Sequence, residues 1–304
     1  MRKFTVSFCV ALMAAVSGCK DNNSINTKPE TSLQNISTDQ YASVDGLNIR
    51  YKIEGKAGDP VLVLLHGFTS SLESWDGLTA ELKDDYQIVR FDLPGHGLTG
   101  TDPQNRYSHK DFVSVVHGLI GTLDLTKPTL IGNSMGGNTA WRYASTYPNE
   151  IDKLILIDAS GFPLNGLSDT PIPLPPMLEN YFLKPTKFAV NYGLKNQYAD
   201  AGKIPEGRAD KIREMMKASG NGEAFVEIYK VFTLPDPTEN LAKITAPTLI
   251  IWGEKDGVVP ANHANLFDAA LPISQVAIIE NTGHVPHEEN PQQTAKTITA
   301  FLNQ

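Results

Sequence analysis

Gly132-Asn133-Ser134-Met135-Gly136 has the spacing of a nucleophilic serine held in a sharp turn. The apolar run 129–131 precedes it and helical periodicity follows, so the turn joins a strand to a helix. Small residues on both flanks let strand and helix approach closely, and the serine hydroxyl is left projecting. The helix it opens points the positive end of its dipole at any negative charge that develops beside the serine. A serine hydroxyl is a weak nucleophile until a base sits within hydrogen-bond reach. The chemistry therefore requires a histidine, and an acid to orient it. A glycine-rich turn carrying an ordinary surface serine is the other reading of these five residues.

The elements that must position such a group alternate along the chain. Residues 41–44, the pair Asp45-Gly46 and residues 47–53 read as a β-hairpin with a tight turn. Val61–Leu65 is a continuous apolar run, as a strand buried on both faces should be, and similar runs occupy Gln87–Phe91, 128–131, 153–157, 247–252 and 275–279. Helical periodicity fills residues 72–82, 111–123, 135–147 and His263–Ala270. This alternation predicts an α/β protein whose mostly parallel, eight-stranded sheet is flanked by helices on both faces. One interval breaks the rhythm: about ninety residues between Ile157 and Thr248 hold no clear buried strand. Five prolines from Pro163 to Pro176 open it, and 177–192, 207–218 and 222–231 look helical. Such an insertion after the sixth strand is a cap over the carboxyl ends of the strands, where open α/β sheets place ligands. The chain then divides into a core of residues 39–160 and 241–304 and a helical cap of residues 161–240.

Of the 304 residues, 41% are apolar and 20% charged, enough to fill a core and against wholesale disorder. Lys plus Arg number 26 against 34 Asp plus Glu, a net charge of −8 with no basic run, which argues against nucleic acid as the partner. The two cysteines, Cys9 and Cys19, can make neither a disulfide framework nor a four-ligand zinc site. With no clustered metal ligands and no phosphate-binding loop motif, the sequence implies no metal and no organic cofactor.

The amino terminus reads as an address. Arg2 and Lys3 precede a nearly apolar run of 13 residues, 4–16, too short to span a bilayer comfortably and of signal-peptide length. Val16-Ser17-Gly18-Cys19 resembles a bacterial lipobox. That resemblance implies a signal peptide at 1–18, cleavage before Cys19, and acyl chains on Cys19 as a membrane anchor. An ordinary secretory signal with an incidental cysteine is the alternative. Residues 19–38, rich in Asn, Ser, Thr and Lys, read as a flexible tether. The expectation is a lipid-anchored protein of the bacterial cell envelope. Lys20, where enteric-type sorting places Asp for inner-membrane retention, favours the outer membrane. Oligomeric state is not legible.

Four further stretches turn the serine motif into a resemblance. They are Leu65-His66-Gly67-Phe68 after the third strand, Phe91-Asp92-Leu93-Pro94-Gly95-His96-Gly97 after the fourth, Trp252-Gly253-Glu254-Lys255-Asp256 after the seventh, and Gly283-His284-Val285-Pro286 after the eighth. With the Gly132–Gly137 run they resemble the α/β-hydrolase fold family over nearly everything from Tyr41 to Leu302.

The resemblance implies Ser134 as nucleophile. Among seven histidines, His284 stands in a Thr-Gly-His loop just after an apolar strand, on the same edge as Ser134; His287, three residues on, is its rival. His66 and His96 read as loop braces, and His109, His117 and His263 as residues of solvated helix faces. Asp256, in a short loop after residues 247–252, matches the family's acid position. Asp158, which ends the preceding strand, is the alternative, and Asp92 reads as a loop brace. Backbone N–H groups of Phe68 and Met135 would form an oxyanion hole.

These roles imply acyl transfer through an acyl-enzyme that water then hydrolyses, with a small ester or lipid as default substrate. Lipases and esterases are the nearest resemblance. Hydrolases that cleave carbon–carbon bonds in ring-cleavage products come second, because those relatives usually carry Trp where this chain has Val285. Perhydrolases share the triad. An inert lipoprotein that binds a ligand is the reading from another class.

Overall fold

The computed structural model describes residues 39–218 and 220–304. The hairpin pairs β1 (Gln40–Val44) with β2 (Leu47–Glu54), Val44 opposite Leu47. Asp45 and Gly46 both take positive φ, +47° and +83°, as a tight hairpin turn demands. Then follow β3 (Val61–Leu65), a single 3₁₀ turn at Leu72–Trp75, α1 (Asp76–Leu82), β4 (Gln87–Phe91), α2 (His109–Thr122), β5 (Thr129–Asn133), α3 (Met135–Thr146) and β6 (Leu154–Ile157). The cap supplies α4 (Pro176–Leu183), α5 (Lys187–Gln197), α6 (Arg208–Lys217), α7 (Asn221–Val231) and the short α8 (Thr238–Leu241). The chain returns through β7 (Thr248–Gly253), α9 (His263–Ala270), β8 (Ser274–Ile279), α10 (Pro286–Glu289) and α11 (Pro291–Leu302).

The eight strands form one sheet in the order β1-β2-β4-β3-β5-β6-β7-β8. The pairings of β2 with β1 and with β4 are antiparallel; from β4 to β8 every pairing is parallel. Side-chain alternation along each central strand feeds two apolar layers. Val63 and Leu65, Leu154 and Leu156, and Ile250 and Trp252 join the layer that holds Val116 and Trp141 of α2 and α3. Leu62 and Leu64, Ile155 and Ile157, and Leu249 and Ile251 join the opposite layer, with Leu78 of α1 and Ile298 and Phe301 of α11. Phe182, Val190, Leu194 and Phe225 of the cap belong to the first layer, so cap and sheet share one core. Each such side chain, once buried, contributes about 1.5–3 kcal/mol.

Three elements differ from the sequence reading. Residues 177–192 are two helices, because Pro185 expels Lys184 from helical geometry and the Thr186 side chain caps the next helix by accepting from the Ala189 N–H at 3.2 Å. Strand β8 is an edge strand: it is covered on one side only, and Val276 and Ile278 are 38% and 45% exposed. The closing helix α11, not picked out from the sequence, covers the second layer with Ala295, Ile298 and Phe301.

Candidate active site

Ser134 sits between β5 and α3 with φ +53° and ψ −116°. A non-glycine residue held there stores about 1–3 kcal/mol of strain. Packing imposes it: a Cβ on Gly132 would strike the backbone of Gly136, and a Cβ on Gly136 would strike the carbonyls of Leu65 and His66. The Ser134 N–H donates to the Ile157 carbonyl at 3.1 Å, and its own carbonyl accepts from Asn138 N–H at 2.9 Å. The turn is thus pinned at both ends while the hydroxyl faces a cavity.

His284 lies in the loop after β8. Its Nδ1 donates to Oδ2 of Asp256, in the loop after β7, at 2.8 Å. Asp256 Oδ1 accepts from the Val258 and Val259 N–H groups at 2.7 and 3.0 Å. Burial alone would raise the Asp256 carboxyl. The charge and hydrogen bond of His284, with the donors around it, overcome that and hold it below the usual carboxylate range. Asp256 therefore faces the imidazole as an anion, which fixes the proton on Nδ1 and leaves Nε2 as an acceptor. Ser134 and His284 line the same cavity of about 250 Å³, without a hydrogen bond between them in this structure. Such bonds often tighten only around substrate.

The structure separates the rivals. His287 is 1% exposed, its ring 4.2 Å from that of Trp75, and it lines neither cavity at Ser134. Burial, then the charges of Arg208 and His284, push its pKa well below the usual histidine value. Asp158 is fully buried beside Asp256, with its Oδ1 accepting from the Gly253 N–H at 2.9 Å; Asp256, not Asp158, holds the imidazole.

His66 and His96 brace the loop after β3. His66 Nδ1 donates to the Gly67 carbonyl at 2.8 Å, and the Leu93 N–H donates to its Nε2 at 3.0 Å. His96 Nδ1 donates to the Pro94 carbonyl at 2.9 Å, and the Thr69 N–H donates to its Nε2 at 3.3 Å. Both rings are therefore neutral; burial pushes His66 down to about 4. Asp92 ties the same region by accepting from Leu72 N–H and Leu98 N–H, both at 2.8 Å. His263 departs from expectation: it is buried, 6% exposed, against Phe162 rather than solvated.

Among the described residues, no hydrogen-bond partner is found for the Phe68 N–H or the Met135 N–H; Met135 follows Ser134 in the chain, and Phe68 lines the same cavities as Ser134. The Phe68 ring packs edge-on against Phe182 and Phe225 of the cap, at 5.5 and 5.4 Å. Two cavities adjoin Ser134, and Phe68 and Val258 line both. The larger is walled by cap residues such as Leu178, Tyr181 and Tyr192, with Asn196, Gln197 and Glu288 for polarity. The smaller, about 100 Å³, is lined mainly by Met135, Leu164, Leu167, Ile172, Ile228 and Phe232.

Two positions escaped the sequence reading. Asn133 Nδ2 donates to the carbonyls of Ile157 and His284, at 3.2 and 3.1 Å, and so joins three of the strand-end loops. Glu289 accepts from Gly283, Ala199 and Asp200 N–H groups at 2.7, 3.1 and 2.8 Å. With the His284 N–H donating to the Gln197 carbonyl at 2.6 Å, these bonds strap the histidine loop to the cap. Only a buried Asn inside a tight turn, and a Glu close after the histidine, signalled either role.

Asp158, Asp256 and His284 bring their polar atoms within 4.8 Å of one another, a spacing a metal ion would accept. The donor set does not fit one: His284 Nδ1 carries a proton, and both Asp256 oxygens are occupied by N–H donors. Cys19 and the rest of residues 1–38 lie outside the described residues.

Comparison with known proteins agrees with this architecture. The chain is 30% identical over 284 residues to the monoacylglycerol lipase ABHD6 of Mus musculus, covering 86% of this chain and 82% of that protein. A membrane phospholipase A described as a bacterial virulence factor superposes with a TM-score of 0.75 at 28% identity, over 88% of this chain and 86% of that one. A mutant of the meta-cleavage product hydrolase CumD shares the fold with a TM-score of 0.77 at 21% identity, over 88% and 99%. Residues 62–297 match the alpha/beta hydrolase family as a whole, and this chain belongs to that family.

Proposed function

We propose that the protein is a serine hydrolase that cleaves carboxylic esters of acyl lipids. The observation that carries the reading is the 2.8 Å bond from His284 Nδ1 to Asp256, which presents Nε2 as a base in the cavity that Ser134 enters from a strained turn. In this reading His284 takes the Ser134 proton as Oγ attacks the ester carbonyl. The Phe68 and Met135 N–H groups hold the oxyanion, each contributing roughly 10²–10³ in rate. His284 then protonates the leaving alcohol, and water repeats the sequence on the acyl-enzyme.

The two cavities suit the two halves of such a substrate. The smaller, lined mainly by aliphatic and aromatic side chains, takes the acyl chain; the larger, with Asn196, Gln197 and Glu288 on its wall, takes the alcohol. The monoacylglycerol lipase and phospholipase A relatives support an acyl lipid as substrate.

The test is fluorophosphonate labelling followed by turnover of a nitrophenyl ester chain-length series, a monoacylglycerol and a ring-cleavage dienoate. Labelling of Ser134 with ester turnover is the expected result. Labelling with turnover of the dienoate alone would move the protein to carbon–carbon hydrolysis, and no labelling would leave a binding protein.

We also infer that Cys19 is lipidated and holds the domain at the bacterial cell envelope, at the outer membrane, through the tether of residues 19–38. Mass spectrometry of the mature amino terminus decides it: an unmodified terminus beyond Cys19 removes the anchor.

A further inference from the structure

Asp158 is a buried carboxyl that the proposed chemistry does not use. It follows β6 with φ +46°, is 0% exposed, lies within 4.8 Å of both Asp256 and His284 by its polar atoms, and pairs with the side chain of Asp256. Its two oxygens are unequal. Oδ1 accepts from Gly253 N–H at 2.9 Å, whereas Oδ2 has no donor, and the side chain faces the Asp256 carboxylate. Two ionised carboxylates cannot share a dry site at this spacing. Asp256 is the better solvated of the two, with three N–H donors including that of His284. The proton the pair must hold therefore belongs on Asp158.

We propose that Asp158 is a positioning residue: a neutral carboxylic acid whose Oδ2–H donates to Asp256 and keeps that carboxylate ionised and aimed at His284. The inference rests on the hydrolase reading above. Burial first, then the Asp256 charge, push the Asp158 pKa well above the usual carboxylate value; Glu289, from α10, acts in the same direction. The titratable groups that face it are thus Asp256, His284 and Glu289; Asp256 and Glu289 oppose its anion, and the Gly253 N–H bond is what favours it. The added donor makes Asp256 a weaker base, so the proton taken from Ser134 rests on the imidazole and does not pass to the acid.

Two variants test this. Asp158→Asn keeps a donor toward Asp256 and an acceptor toward Gly253, is neutral, and tolerates positive φ. Asp158→Ala removes the donor. Expected are a loss of about tenfold in kcat for Asp158→Ala, rescue by Asp158→Asn, and an acid limb of kcat/KM unmoved in Asp158→Asn. If Asp158 carries a charge, Asp158→Asn removes an anion near His284 and shifts that limb down by about one unit, which overturns the proposal. Wild-type turnover in Asp158→Ala overturns it too. Infrared difference spectra at neutral pH give a readout without turnover: a protonated-carboxyl C=O band present in the wild type and missing in Asp158→Asn. A protein that shows this band but cleaves no ester retains the shared proton and loses the hydrolase reading; absence of the band ends the proposal by itself.

Discussion

Arg208 and Glu288 meet across the seam between cap and sheet, Nε to Oε2 at 2.7 Å and Nη2 to Oε1 at 2.8 Å. Both side chains are largely buried, 7% and 10% exposed, and Glu288 also accepts from the Tyr198 hydroxyl at 3.0 Å. A buried pair of this kind costs more to break than to replace. Arg208→Met, which strands the Glu288 charge, is expected to lower stability by about 3–5 kcal/mol, while Arg208→Met with Glu288→Gln recovers most of that loss. Urea unfolding of Arg208→Met, Glu288→Gln and the double variant checks it; a double variant as unstable as the sum of the singles removes the pair as a unit.

Ser134→Ala, His284→Ala and Asp256→Asn are each expected to stay folded and to lose ester turnover, the last by about 10⁴ in kcat. Because the three act as a unit, Ser134→Ala with His284→Ala is expected to be little worse than Ser134→Ala alone. His287→Ala is the control, and its cost is expected in stability, since its ring packs on Trp75. Wild-type turnover in His284→Ala with loss in His287→Ala would exchange the two assignments.

The loop after β3 predicts an acid limit to stability. The His66 pKa falls from the ordinary 6.5 to about 4 on folding, chiefly by burial, so between these values the unfolded chain binds the extra proton. The stabilisation is complete above 6.5 and is lost as pH falls toward 4, about 3 kcal/mol for this ring. His96, pushed well below its ordinary value by burial and then by His66, adds in the same direction. Urea midpoints measured from pH 7 to pH 4.5 are expected to fall, and to fall less steeply in His66→Gln. A flat wild-type profile contradicts it.

Leu167 lines the smaller cavity from a loop and is half-buried. Leu167→Trp is expected to fill that space, so that turnover of short acyl esters is kept and that of longer ones drops several-fold. An unchanged chain-length profile would place the acyl chain in the larger cavity instead.

Much of the scaffold was legible because its signals are local. Val61–Leu65 is read correctly to the residue, since a strand covered on both faces has no polar positions to interrupt it; Gln87–Phe91 is too, although it carries the buried Arg90, whose charge Glu54 pairs. Residues 177–192 misled, because apolar periodicity continues through Pro185 while the backbone does not. The β8 run is as apolar as the central strands, and only the strand order shows that one of its sides faces solvent. Ser134 could be singled out as the candidate nucleophile from five consecutive residues. The role of Asn133 could not, because its amide reaches His284, 151 residues on. The bonds from Glu289 to Ala199 and Asp200 span 90 and 89 residues, distances that no local pattern encodes.

The bond from the His284 N–H to the Gln197 carbonyl makes the last turn of α5 part of the seat of the histidine. A Cβ on Gly283 would strike that same carbonyl, so neither side of the joint is free to drift alone. Cap and core are therefore not interchangeable parts. A hybrid that grafts a foreign cap onto this sheet would arrive without the backbone that seats His284. Grafts that retain residues 197–200 together with 283–289 are the ones with a working joint. For this chain, what is recognised and how fast it is processed are inherited as a single unit.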